Sequence, residues 1–156
     1  MTGCNCTSMG RGTESAQVLG FIKSAICHEY KMARYFRYLA EKTKCSEKKE
    51  ILYGMRADAK RHAACLQKMF EEICDKEHRC EKLSVKKPHD FCEGLKRGIC
   101  KEMEGITVYE RLANSLRSMK YKEVICCILN EKRAHTQKLA ALYKKCYGEH
   151  TYKCCK

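Results

Sequence analysis

The sequence predicts an all-α fold: two antiparallel helical hairpins joined by a long crossover into a four-helix bundle. Three observations carry this. Four long segments repeat apolar residues at three- and four-residue steps, and none shows sustained two-residue alternation. The second half repeats the first at a constant shift of 73 residues. The single proline of the 156-residue chain, Pro88, falls at the end of the one long connection without a pattern.

The first segment spans residues 14–44, with Val18, Ile22, Ala25, Ile26, Ala33, Phe36 and Ala40 on one stripe. The second spans residues 46–74, with Ile51, Leu52, Met55, Leu66, Met69 and Ile73 inward and Ser46 placed as N-cap. The third begins at residues 89–90, just past the proline, and reaches residue 118 along Leu95, Ile99, Ile106, Tyr109, Leu112 and Leu116. The fourth covers residues 120–147 with Val124, Ile128, Leu139 and Leu142, and Gly148 is its stop. Residues 14–147 therefore make one bundle. Residues 1–13 form a polar, cysteine-containing tail and residues 148–156 a cysteine-rich one. Connections near residues 44–46 and 118–120 are tight and force antiparallel neighbours. The linker at residues 75–88 reaches about 46 Å when extended. A 25-residue helix is about 37 Å long, so the linker can cross the bundle from end to end.

Composition narrows the function. No apolar run reaches the length of a membrane span, and the N-terminal residues carry no apolar signal core, so a cytoplasmic location is expected. The net charge is +13, but the lysines are interleaved with glutamates along every segment. That is a solvated surface, and no nucleic-acid partner is expected. Fourteen cysteines without a signal sequence suggest free thiols or thiolate-bound metal in a reducing compartment.

The shift of 73 aligns residues 22–40, IKSAICHEYKMARYFRYLA, with residues 95–113, LKRGICKEMEGITVYERLA. Glu29 then meets Glu102, His62 meets His135, and Asp58 meets Glu131. All four of Glu29, His62, Glu102 and His135 sit on apolar stripes. The midpoint between Glu29 and His62 falls in the first turn, and that between Glu102 and His135 in the second, so each acid faces its own hairpin's imidazole. Two carboxylates and two imidazoles at one level of a core make a metal site or a proton-sharing network.

The stretches AICHEYKMARYFRYLAE, ADAKRHAACL and EKRAHTQKLAALY resemble the ferritin-like superfamily, and within it the rubrerythrin-like branch. The resemblance covers about residues 15–147. It implies a bundle in which one Glu from each of two helices and a Glu-x-x-His pair from each of the others hold two iron or manganese ions. Glu29 and Glu102 match the single glutamates, and His62 and His135 the motif histidines. The motif glutamates are absent: Ala59 and Lys132 stand three residues before the histidines. Asp58 and Glu131, one place earlier, match acids that hold a histidine from behind. Lys132 either snorkels outward or places its ammonium between Glu29 and Glu102. Three arrangements follow: one metal ion on Glu29, His62, Glu102 and His135, a metal-free Lys–Glu–His network, or a dinuclear site with unusual ligands. Tyr35 and Tyr109 are hydrogen-bond donors to the layer. The resemblance implies iron-linked redox chemistry on a peroxide or dioxygen, with a small-molecule oxidant and an electron donor as partners. Bundles of this kind pair into homodimers, and no face here is marked as the seam.

The cysteines support an alternative, non-enzymatic reading: a ferritin-like scaffold that sequesters zinc or copper through thiolates. Helical-wheel angles turn Cys27, Cys100 and Cys126 away from the core, so a bundle filled with copper thiolates is not expected. Cys4, Cys6, Cys146, Cys154 and Cys155 cluster toward the termini and form a thiolate site if the tails meet.

Overall fold

The computed structural model describes residues 14–147. Its four helices are α1 (Ala16–Glu41), α2 (Ser46–Cys74), α3 (Phe91–Ser115) and α4 (Met119–Tyr147). Among the described residues there is no strand, as the missing two-residue period requires. Ser15 caps α1 by accepting from Val18 N–H at 3.3 Å, and Asp90 caps α3 by accepting from Glu93 N–H at 2.9 Å. The cap of α2 is Cys45, whose side chain accepts nothing, and the expected N-cap Ser46 is its first helical residue. Glu14 ties the start of α1 to the distant α3–α4 turn: its carboxylate accepts from the backbone of Arg117 at 3.1 Å and Ser118 at 3.0 Å.

Contacts between the hairpins fix the topology. Along α1 and α3, Leu39 meets Gly94 and His28 meets Gly105. Along α2 and α4, Asp58 meets His135 and Glu72 meets Tyr121. Both pairs run antiparallel, which requires the crossover to travel the full length of the bundle. It lies on α1 as it does so: Cys80 is bonded to Cys27, the Leu83 carbonyl accepts from Arg34 at 2.6 Å, and the Lys87 ammonium lies over Tyr38. The crossover ends where Pro88 packs on α3. A Cβ on Gly94 would lie 2.5 Å from Leu39 Cδ2 and 2.7 Å from Pro88 Cβ, so this glycine serves close packing.

Two apolar clusters fill the interior. One contains Ile22, Ile26, Leu66, Leu112 and Ile125, and the other Phe36, Leu39, Leu52, Leu95 and Leu139. On every helix the polar residues of the repeat fall between them. Glu29, His62, Glu102, Lys132 and His135 are each at most 2% exposed.

The expectation of free thiols is corrected at several positions. Cys27 is disulfide-bonded to Cys80 and Cys92 to Cys146, and Cys65, Cys100 and Cys127 are also disulfide-bonded. The Cys146 pairing follows from the hairpin, which brings the start of α3 and the end of α4 to one end of the bundle. Cys146 is thus no thiolate of a terminal cluster, while Cys4, Cys6, Cys154 and Cys155 lie outside the described residues. Cys45, Cys74 and Cys126 are free. No helix among the described residues is long and apolar enough to cross a membrane.

Candidate functional site

The polar layer is built from one carboxylate and one imidazole per hairpin. Glu29 Oε2 lies 3.4 Å from His62 Nδ1, and Glu102 Oε2 lies 3.8 Å from His135 Nδ1. Each Glu thus faces its own hairpin's His, as the turn midpoints predict. The two imidazoles stack with centroids 6.1 Å apart, so the half-sites meet at their histidines.

The outer acids cross between hairpins. Asp58, on the helix of His62, lies 3.0 Å from Nε2 of His135. Glu131, on the helix of His135, lies 2.5 Å from Nε2 of His62. The antiparallel register of α2 and α4 causes the exchange. Arg61 joins the two acids, donating to Asp58 at 2.8 Å and Glu131 at 2.9 Å. Each histidine is therefore held through Nε2 by a carboxylate, with Nδ1 turned inward, the disposition of a metal-binding histidine backed by an outer acid.

Lys132 points inward. Its ammonium lies 2.8 Å from Glu29 Oε1 and 3.1 Å from Glu102 Oε2, and it donates to Glu102 Oε1 at 3.3 Å. Tyr109 donates to Glu29 Oε1 at 2.8 Å. Tyr35, expected to serve the layer too, instead donates to the Gly94 carbonyl at 2.9 Å, because its ring lies a turn further along α1, toward the crossover end. Gly105 makes room for the lysine: a Cβ there would lie 2.4 Å from His28 Nε2 and 3.0 Å from Lys132 Cε.

The electrostatics follow from these contacts. Burial opposes the charge on Glu29, yet the Lys132 ammonium, followed by the adjacent His62 imidazole, holds its carboxyl below the ordinary range. Burial and Lys132 compete in the same way at Glu102, which is also lowered. Burial works against the Lys132 charge, and the two carboxylates outweigh it and raise its pKa. The bond to His135, with Arg61, lowers Asp58 to about 2. Burial together with the Glu29 charge pushes Tyr109 well above the usual phenol range.

Within the layer, Glu29 Oε2 faces His62 Nδ1 and Glu102 Oε2 faces His135 Nδ1 without a well-aligned hydrogen bond. Glu102 Oε2 is answered in part by the Lys132 ammonium at 3.1 Å, and under-satisfied buried polar atoms are costly. Donors for a pair of ions are lacking, since Ala59 supplies none and the Lys132 ammonium lies between the single glutamates. The residues present do not fit a two-metal centre. Among the described residues, donor atoms of Cys27, His78 and Cys80 lie within 4.8 Å of one another, and no three of the four inward atoms of the layer do.

Sequence reasoning missed His28, Arg61, His78 and Cys80. Arg61 and His28 adjoin site residues in the chain, and the His-x-Cys spacing in the crossover was a signal for the last two.

No protein-family model matches the chain, and no curated protein matches it. Solved structures do. A hypothetical protein from Pyrococcus furiosus superposes with a TM-score of 0.76 at 18% identity, covering 90% of this chain and 100% of that one. A Thermotoga maritima protein provisionally described as ferritin-like diiron-carboxylate gives 0.71 at 20% identity, covering 89% and 99%. A two-domain protein from Anabaena variabilis, with DJ-1/ThiJ/PfpI-like and ferritin-like domains, gives 0.71 at 14% identity, covering 92% of this chain and 44% of that one. At these identities the likeness is one of fold, and the fold is the ferritin-like four-helix bundle.

Proposed function

We propose that the chain is a ferritin-like metal-binding protein whose core takes one divalent ion, iron or manganese, in place of two. Glu29, His62, Glu102 and His135 are its ligands, and the Lys132 ammonium stands where the second ion's charge would be. The observation that carries this reading is the pair of buried half-sites, in which Glu29 Oε2 and Glu102 Oε2 face the inward Nδ1 atoms of His62 and His135 while each histidine is backed through Nε2 by an acid. Charge supports it. With both imidazoles neutral, as ligation through Nδ1 requires, Glu29, Glu102, Asp58 and Glu131 face one ammonium and one guanidinium, leaving two negative charges, which one divalent ion balances. Carboxylate and imidazole suit iron and manganese.

An ion there would supply one-electron chemistry toward a small oxidant, consistent with the rubrerythrin-like motifs. The protein's own groups hold and shield it: Tyr109 and Lys132 fix Glu29, Glu131 fixes His62, Asp58 fixes His135, and the apolar clusters on either side exclude water. Because the half-sites are not closed on one point, Glu29 and Glu102 are the residues that would have to approach the stacked imidazoles to share an ion.

The contacts of Lys132 favour a second reading, in which the layer is a metal-free network of structural value. Anaerobic titration of metal-free protein with ferrous iron and with manganese decides between them. The proposal expects one ion per chain, lost in His62→Ala and in His135→Ala. No binding above that of these variants would leave the metal-free network.

A further inference from the structure

A second cluster lies outside the bundle core, where the crossover passes over α1. Cys27 is bonded to Cys80, and His78 Nε2 lies 3.4 Å from Cys27 Sγ. The three donor atoms lie within 4.8 Å of one another, and each residue is partly exposed. The fold holds this geometry. Gln67 of α2 donates to the His78 carbonyl at 3.0 Å, and the His78 ring packs edge-on against Phe70 with centroids 5.7 Å apart. Beside the cluster opens a pocket of about 450 Å³, lined in part by His28, Lys31 and Glu104.

We propose that Cys27, His78 and Cys80 form a redox-gated zinc site, filled when the two cysteines are reduced and emptied when they pair. The donor types select the ion: two soft thiolates and an imidazole on one point suit zinc, with pocket water in the fourth position. The switching chemistry balances. A dithiol reductant passes two electrons to the Cys27–Cys80 bond, which breaks, and its own sulfurs join as a disulfide. Its two protons go to the Cys27 and Cys80 sulfurs. Zinc then displaces them and takes two thiolates and the neutral imidazole nitrogen. A disulfide oxidant reverses the exchange, since paired sulfurs no longer offer thiolates. The crossover stays fastened to α1 in both states, by a covalent bond or through the ion. This site shares no ligand with the core layer and does not rest on the reading of that layer.

The test uses the full chain, reduced with a phosphine without oxygen, and cobalt(II) as the probe because thiolate ligation gives a charge-transfer band. The wild type should bind one more equivalent, with its band, than Cys80→Ser and His78→Ala. Zinc should displace that cobalt. His78→Cys should restore the equivalent, and Cys126→Ser, at an exposed free thiol, should retain it. Reforming the Cys27–Cys80 bond, verified by peptide mass mapping, should expel one ion. Equal cobalt in wild type, Cys80→Ser and His78→Ala would overturn the proposal. So would retention of the ion after the bond reforms, or loss in Cys80→Ser without loss in His78→Ala.

Discussion

The two halves of the bundle share a repeat but not a chemistry. Three residues before its motif histidine, the first half has Ala59 and the second Lys132. Phe36 of the first half packs its ring edge against His135 at 5.9 Å between centroids. Its counterpart Tyr109 carries a hydroxyl and donates to Glu29. The second half thus supplies both donors for the first half's carboxylate. In return the first half supplies Arg61, which holds the outer acids of both. The repeat brings matching acids and imidazoles to one level, and a few residues that differ between the halves make the level asymmetric. One ammonium answers two carboxylates where a symmetric site would call on two ions.

Removing that ammonium should have the largest effect. Lys132→Met leaves Glu29 and Glu102 buried and without their shared cation, which should cost about 3–5 kcal/mol, read by chemical denaturation of metal-free protein. Lys132→Glu places a carboxylate three residues before His135, a Glu-x-x-His spacing in the second half. It should be as unstable without metal but recover with iron or manganese, and should bind a second ion. A Lys132→Met protein as stable as the wild type would show that the ammonium neutralises nothing.

Tyr109→Phe makes the two halves alike at that position. It deletes a buried hydrogen bond to a charged group and should cost about 1.5–3 kcal/mol.

Gly105→Ala tests the space that the second half reserves for Lys132. The added Cβ overlaps His28 and crowds Lys132 Cε, and the expected loss is about 1–3 kcal/mol. The smallest effect belongs to Arg61→Ala. Its two ion pairs are about one-third exposed, and solvent screening limits the loss to about 1 kcal/mol or less. A loss as large as that for Lys132 would mean that the outer acids, not the inner ones, hold the layer.

Much of this was legible in the sequence, for definable reasons. The helices and turns followed from periodicity. The pairing of Glu29 with His62 and of Glu102 with His135 followed from tight turns, which fix the level of residues on adjacent helices. The crossing of Asp58 and Glu131 was not legible, because it depends on how α2 sits against α4, a register set by no short connection. Nor was the direction of Lys132: a long side chain can turn inward or out, and only two carboxylates arriving from α1 and α3 decide it. The Cys27–Cys80 bond depends on the path of the crossover along α1, on which the linker's length is silent.

The most direct test of the core is anomalous diffraction at the iron edge from crystals loaded with ferrous iron under anaerobic conditions. One peak per chain is expected, in contact with Glu29 Oε2, His62 Nδ1, Glu102 Oε2 and His135 Nδ1, with Lys132 still on Glu29 Oε1. Two peaks in the layer, or none with Lys132 alone between the glutamates, would contradict it.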